Sequence, residues 1–256
     1  MTELPYRLER TVVIKASPET VFQFFTDSER WAGWWGAGST IEARPGGKVY
    51  IRHPNGVEVL GEVLEVRAPE WIVFTYGFAS GTPMPPGSSK VAICLDPHEA
   101  GTRLSLTHEF AAAEARDQHV QGWRFQLSLF ANLVANAVFA DAGARVDAWF
   151  EAWTIPDEKL REDAFARIAT PEIQFHDRYS LLNGYVDLTA HSGATLRFMP
   201  GLVTKRSGEV RHCQGVVLAD WKTVNRDGNE QMSGTNVFVF GADGRITSVT
   251  GLANSA

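Results

Sequence analysis

Polar and apolar positions change period several times along the chain, and each change predicts an element. Residues 8–15, LERTVVIK, alternate and then run β-branched, which predicts a strand. Residues 17–27, SPETVFQFFTD, switch to helical spacing: Ser17 can cap, Pro18 suits the first helical position, and Val21, Phe22 and Phe25 share a face. In ERWAGWWGAG, residues 29–38, Trp31, Trp34 and Trp35 at i, i+3 and i+4 predict a second short helix. Residues 44–78 read as a meander of strands, with turns at Gly46-Gly47, Asn55-Gly56 and Pro69-Glu70. A Pro/Gly/Ser loop at 82–89 precedes KVAICLD and TRLSLTHEF, a hairpin joined by PHEAG. One long helix is expected over 117–138. Trp123, Leu127, Phe130 and Val134 form its apolar face, Phe125, Leu129 and Leu133 widen the stripe, and Gly122 allows a close approach to a neighbour.

The small-residue run ADAGA, 140–144, interrupts this pattern and suggests two domains, 1–140 and 141–256. The second half opens with helices in RVDAWFEAW and PDEKLREDAFARIA, the charge run EKLRED reading as a solvated face and Thr170-Pro171 as a stop. EIQFHDR is a short strand and GYVDLTAHSGATLRFMP another helix. Three long strands then close the chain: EVRHCQGVVLADWKTVN, NEQMSGTNVFVFG and GRITSVTGLA, joined at RDGN and GADG. Helices first and a bent antiparallel sheet last predict an α+β domain.

Composition narrows the function classes. The chain has 256 residues, 44% hydrophobic and 21% charged, the balance of a protein with a real core. A net charge of −6 without any run of Lys or Arg argues against nucleic acid as a partner. The polar start, MTELPYRLER, lacks the core of a signal peptide, and no run has the roughly 18 consecutive apolar residues of a membrane span. Cys94 and Cys213 sit in strand-like runs and are expected to be buried free thiols, with the cytoplasm as the default location. The seven histidines do not pair at i, i+4, and no dinucleotide, phosphate-loop or nucleophile-elbow motif occurs, so no metal or cofactor is expected.

The ordered motifs SPETVFQFFTDSERWAGWWG, PGGKVYI, GEVLEVRAPEWIVFTYGF, GTRLSLTHEF and HVQGWRFQLSLFANL, spread over residues 8–139, resemble the activator-of-heat-shock-protein-90-ATPase-homologue-like family of the START/SRPBCC superfamily. The resemblance implies a helix-grip fold, a bent antiparallel sheet around a long C-terminal helix with an apolar cavity between them. The expected cavity residues are Trp34, Trp35, Phe74, Tyr76, Trp123 and Leu127, with Trp31 as an anchor. His108 falls at a strand end. His119, at a helix start, is a surface residue or reaches the cavity mouth.

VDAWFEAW, TPEIQFHDRY, NGYVDLTAH and GTNVFVFGADGRITSVTGL, over residues 145–253, resemble the SnoaL-like branch of the nuclear-transport-factor-like superfamily. That implies a cone-shaped α+β barrel, often a homodimer through its sheet, in a group that includes polyketide cyclases, isomerases, dehydratases and epoxide hydrolases. Enzymes on this fold place a carboxylate or histidine in an apolar cone, where burial tunes it as a general base. Candidates are His176, Asp177, His191, His212 and Asp220, with His176 or Asp220 taking the proton. Asp220 shares a strand face with Val216 and Leu218, and Asn236 one with Phe238 and Phe240. Trp149, His176, Tyr179, Asp220, Asn236 and Phe238 are the expected pocket. Each candidate has a plainer alternative: an Asp turn at the strand end for His176-Asp177, a fraying helix for His191, an exposed sheet edge for Asp220.

Three functions follow in order. The first is binding of a small, largely apolar molecule in one or both cavities. The second is a cofactor-free cyclase, isomerase or dehydratase in the second domain, and the third a co-chaperone-like binding module.

Overall fold

The first strand forms as β1 (Tyr6–Ile14), with Leu8 and Ile14 turned to the core. The computed structural model describes residues 3–254. They divide into two compact units, up to residue 135 and from residue 136 on.

In the first unit, the Ser17 hydroxyl accepts the Thr20 N–H at 3.3 Å and Pro18 opens α1 (Pro18–Phe22). A 3₁₀ turn, Gln23–Phe25, leads into α2 (Ser28–Trp35), capped by Asp27 accepting the Arg30 N–H at 2.9 Å. Gly36, at φ +142, ends α2, because a side chain there would strike the Arg52 carbonyl. The strands are β2 (Thr40–Ile41), β3 (Lys48–Arg52), β4 (Glu58–Arg67), β5 (Trp71–Tyr76), β6 (Ser89–His98) and β7 (Gly101–Phe110). They form one seven-stranded antiparallel sheet in the order β1-β7-β6-β5-β4-β3-β2. A register shift between Val63 and Glu65 marks a bulge in β4, the usual device for bending a sheet. The long helix α3 (Ala113–Val138) follows.

Three expectations change here. β6 and β7 absorb most of PHEAG, leaving only Glu99-Ala100 between them. α3 starts four residues earlier than predicted, since the alanines before Asp117 favour helix. Its buried stripe is also narrower: Phe125 is 67% exposed and Leu129 is exposed, while Gln126 takes a buried position.

The second unit runs α4 (Ala142–Ala152), α5 (Glu158–Ile168), β8 (Ala169–His176), β9 (Leu181–Asn183), α6 (Gly184–Phe198), β10 (Val203–Arg206), β11 (Arg211–Cys213), β12 (Val216–Val224), β13 (Glu230–Phe240) and β14 (Ile246–Ala253). Its sheet order is β10-β12-β13-β14-β8-β9, with β11 beside β12. β8 pairs parallel to β14, so the sheet is mixed rather than wholly antiparallel. The first of the three predicted long strands is really a hairpin. Gln214 (φ 47) and Gly215 (φ 78) make a two-residue turn that pairs Cys213 with Val216. Trp149 anchors the core against Phe165, Phe175 and Phe238, with ring centres 5.5–5.9 Å apart. Asn136 bonds His212 and Phe139 packs on Phe240, which ties the start of this unit to its sheet.

Both units are therefore α+β: a helix-grip unit with a bent sheet and a long C-terminal helix, then an α+β barrel-type unit. Neither cysteine is fully buried. Cys94 lies on the outward row of β6 with Ala92 and Asp96, and Cys213 is exposed at the tip of the β11–β12 hairpin. The EKLRED run is solvated except for Arg161, which is 3% exposed. Arg161 donates from Nε to the Thr189 carbonyl at 3.0 Å, and from one terminal nitrogen to the Ile155 and Pro156 carbonyls at 2.6 and 3.1 Å. Helix α6 does not fray at Ser192-Gly193, which are buried, Gly193 lying beneath that guanidinium. Among the described residues, no single helix is long and apolar enough to cross a membrane.

Candidate functional site

The three tryptophans of α2 are all buried, at 0%, 2% and 4% exposure for Trp31, Trp34 and Trp35. Their indole N–H groups differ. Trp31 donates to the Tyr50 carbonyl and Trp34 to the Phe24 carbonyl, each at 3.3 Å. Trp35 Nε1 is buried without a hydrogen-bond partner. Trp34 also packs on Phe130 of α3 at 4.8 Å, and Trp35 lies 4.3 Å from Trp34 and 5.7 Å from Trp123. Trp31 is thus a pure anchor, whereas Trp34 and Trp35 are anchor and wall together.

The wall belongs to a groove of about 390 Å³. It is lined by Trp34 and Trp35 of α2, the turn at His53, Pro54 and Asn55, Tyr76 of β5, and His119, Gly122, Trp123 and Gln126 of α3. Phe125 and Leu129 give it an apolar rim. None of its lining residues is an Asp, Glu, Lys or Arg. Four of the expected first-cavity residues are here: Trp34, Trp35, Tyr76 and Trp123. The other two, Phe74 and Leu127, are packed into the core instead, Phe74 against Trp31 at 5.7 Å. Gly122 has no neighbour within 4 Å of where a Cβ would stand, so it opens the groove rather than allowing a close approach.

Behind the groove runs a hydrogen-bond relay. Trp123 Nε1 donates to His108 Nδ1 at 2.9 Å. An indole N–H only donates, so Nδ1 is unprotonated and the ring proton sits on Nε2. Nε2 then donates to Ser89 Oγ at 2.8 Å, and Ser89 donates to the Tyr76 carbonyl at 2.7 Å. Burial, reinforced by His119, holds His108 well below the usual histidine range. The Ser89–His108 pair is not a nucleophile and its base, because it is buried and the hydroxyl proton is committed to a carbonyl. The signal for His108 was present in the sequence: in TRLSLTHEF it falls on the same alternate row as Leu104, Leu106 and Phe110.

His119 reaches the groove. Its Nδ1 donates to the Ala115 carbonyl at 2.6 Å, which leaves Nε2 as an acceptor. Burial lowers its affinity for a proton, partly offset by that carbonyl. Burial, then the neighbouring His119, does the same to His53, whose ring meets Trp35 edge-on at 5.6 Å. Burial pushes the Tyr76 phenol upward. At neutral pH the groove therefore carries no formal charge. A larger hollow, about 500 Å³, opens on the other face of the sheet, but its charges already satisfy one another: Glu109 holds Lys90 at 2.6 Å and Arg7 at 3.1 Å.

The second unit scatters its candidates. Trp149 and Phe238 are core residues, Tyr179 is 79% exposed, and His176 is half-buried at the end of β8. Asp177 accepts the Tyr179 N–H at 2.8 Å, the plain Asp turn. Asp220 points outward with Val216 and Leu218, because Val217 and Ala219 take the inner face of β12. There it accepts from the Thr235 hydroxyl at 2.5 Å and from Arg211 at 3.5 Å. Asn236 is buried on the inner face, paired between Ala219 and Gly251. A Cβ on Gly251 would lie 3.1 Å from Asp177 Cβ and 3.2 Å from Asn236 Oδ1, so Asn236 Oδ1 and the Asp177 Cβ converge there, the Asp177 carboxylate itself taking the Tyr179 N–H, while Asp220 does not. His191 is half-buried, its Nε2 3.1 Å from the Ser180 hydroxyl, and His212 Nε2 accepts the Gly215 N–H at 2.9 Å. Among the described residues, no three His, Cys, Asp or Glu side chains are placed to hold a metal ion.

No curated protein matches the chain. Among solved structures, a SnoaL-like family protein from Agrobacterium tumefaciens is 20% identical, covers 44% of this chain and 96% of its own, and has a TM-score of 0.42. A protein from Mesorhizobium loti is 20% identical over 50% of this chain and 96% of its own, with a TM-score of 0.46. The solution structure of the Aha1 dimer from Colwellia psychrerythraea is 18% identical over 48% and 90%, with a TM-score of 0.42. Residues 15–135, the part that builds the groove, match the family described as Activator of Hsp90 ATPase homolog 1-like protein.

Proposed function

We propose that the chain binds a small, largely apolar molecule in the groove of the first unit, with 1–140 and 141–256 as its two functional pieces. The observation that carries this is the groove itself: about 390 Å³, walled by aromatic rings, with polar groups at few points and no charged side chain. Trp34, Trp35, Tyr76 and Trp123 are the binding residues of this reading, joined by His53 and His119.

Two measurements on the full chain test it. Native mass spectrometry looks for a mass that leaves on denaturation, and titration with an uncharged naphthalene, read by tryptophan fluorescence, looks for saturable binding. A Cβ at Gly122 meets nothing within 4 Å, so Gly122→Leu directs a side chain into the open groove. It is expected to abolish both signals while far-UV circular dichroism stays native. Unchanged binding in that variant sinks the assignment to this groove.

The acid–base alternative in the second unit rests on His176 and the Asn236–Asp177 convergence. Asp220, outward and engaged by Arg211, gives it no buried base. The co-chaperone alternative draws on the family description alone. A homodimer through the second unit's sheet would use the outer row of Val216, Leu218, Val237 and Val239, and light scattering decides it.

A further inference from the structure

We infer that the occupant of the groove presents an acceptor oxygen, of a carbonyl or a carboxylate, to the hydroxyl of Tyr76. This rests on the groove being a small-molecule site and goes on to name the polar end of what it holds.

Tyr76 lines the groove, and only 4% of the residue is exposed. It shares the inner row of β5 with Ile72 and Phe74. Its ring is set among those of Phe78 at 5.9 Å, His108 at 5.2 Å and His119 at 5.8 Å, all edge-on. The hydroxyl has no hydrogen-bond partner among the described residues, yet, unlike the indole nitrogen of Trp35, it is not shut off from solvent. Burial pushes the phenol upward, so at neutral pH the hydroxyl keeps its proton and can donate it to an acceptor.

The other polar groups around the groove are placed differently. Gln126 donates to the Trp34 carbonyl, Trp123 to His108, and His119 Nδ1 to the Ala115 carbonyl. Asn55 is exposed and His53 half-buried, so both keep water within reach. Tyr76 has little surface to share, and a molecule that fills the groove takes that surface from water. An acceptor oxygen then makes the bond that the protein does not. A hydrocarbon strands a buried donor, which is unfavourable. The oxygen can be neutral or anionic: burial keeps His53 and His119 neutral, and either imidazole can take up a proton beside a carboxylate.

The test is Tyr76→Phe in the full chain. The change keeps the ring and removes no hydrogen bond within the protein, so far-UV circular dichroism is expected to stay native. Three probes of one shape are measured against both proteins by equilibrium dialysis at pH 7.5. They are 2-acetylnaphthalene, 2-naphthoate and 2-ethylnaphthalene, the last without an acceptor. Tyr76→Phe is expected to weaken the ketone about fivefold, the worth of an ordinary hydrogen bond, and to leave the hydrocarbon within about twofold. Naphthoate separates the two kinds of oxygen. If it binds tighter than the ketone and loses as much in the variant, the acceptor is a carboxylate with an imidazole taking the proton; if it binds more weakly, the acceptor is a neutral carbonyl. A ketone that loses no more than the hydrocarbon overturns the inference and leaves the groove as a binding site. Failure of all three probes to bind folded protein overturns the small-molecule reading as well. A second measurement needs no variant. The infrared carbonyl band of bound 2-acetylnaphthalene should lie below its position in hexane, because a hydrogen bond weakens the C=O bond, and a band at the hexane position also overturns the inference.

Discussion

Among the described residues each unit buries one basic side chain, and the two are satisfied by opposite means. His108 in the first unit is neutral, and both ring nitrogens are engaged by other side chains, Trp123 and Ser89. Arg161 in the second is a guanidinium held by backbone carbonyls of Thr189, Ile155 and Pro156. A neutral imidazole is cheap to bury but changes state with pH; a guanidinium keeps its charge across the accessible range and costs more to strand. The first interior should therefore be sensitive to acid, and the second to mutation.

The largest effect expected is at Arg161. Arg161→Leu leaves three buried carbonyl contacts without donors and loosens the turn at Ile155-Pro156 from α6. Leaving acceptors of this kind unsatisfied costs about 1–3 kcal/mol each, so a total of about 3 kcal/mol or more is expected. Urea unfolding should show it as a clear drop in midpoint. A loss under about 1 kcal/mol, the level of a surface change, would mean that water replaces the guanidinium and the comparison fails.

His108 comes next. His108→Leu leaves the Trp123 N–H and the Ser89 hydroxyl without their ring partner, at a cost of about 2 kcal/mol. It should also change the pH dependence. In the unfolded chain a histidine takes its proton near 6.5, whereas burial holds folded His108 well below that value. Between the two the unfolded state binds more protons, so stability is full above pH 6.5 and falls as the pH drops beneath it. His119 on α3 and His53 on the turn at Pro54-Asn55, both lowered by burial, act in the same direction. Each such group contributes a slope of at most about 1.4 kcal/mol per pH unit. Thermal melts from pH 7.5 to 5.5 should show a steady fall in the parent and a shallower one in His108→Leu. Identical slopes would show that His108 does not titrate on unfolding.

The buried tryptophans were legible in the sequence, and the buried polar side chains were not, for a physical reason. Trp31, Trp34 and Trp35 at i, i+3, i+4 have one way to leave water, so the helix and its burial followed directly. Trp123 followed in the same way. For a strand, alternation says which residues share a face but not which face is inside. Asp220 does share a face with Val216 and Leu218, and that face is the outer one, because β12 pairs Ala219 with Asn236 and Asp220 with Thr235. Asp220 and Asn236 thus lie on opposite sides of the sheet, and only the register of β13 shows it. The Gln214-Gly215 turn was hidden because glutamine seldom adopts positive φ. Arg161 was hidden inside a charge run whose other members are solvated.

A smaller effect sharpens the comparison from the Arg161 side. A Cβ on Gly193 would lie 3.1 Å from Arg161 Cζ and would strike one of its terminal nitrogens. Gly193→Ala gains about 1 kcal/mol of helix propensity but displaces the guanidinium, and overpacking of this kind costs about 1–3 kcal/mol. The net expectation is a loss of about 1 kcal/mol, cancelled when Gly193→Ala is combined with Arg161→Leu. Additive losses in the double variant would place the strain elsewhere in α6.

The smallest effect is expected at Asp220. Its carboxylate lies at the surface, 2.5 Å from the Thr235 hydroxyl and 3.5 Å from Arg211. An exposed pair of this geometry is worth about 0–1 kcal/mol, and Asn at the same position keeps an oxygen for Thr235. Asp220→Asn should therefore move the urea midpoint by no more than about 0.5 kcal/mol equivalent, the scatter of ordinary surface changes. That small number has a use. If the variant stays this stable and yet loses a turnover that the second unit supports, the outer face of its sheet carries chemistry after all, and the convergence of Asn236 and Asp177 on the inner face has to yield to it.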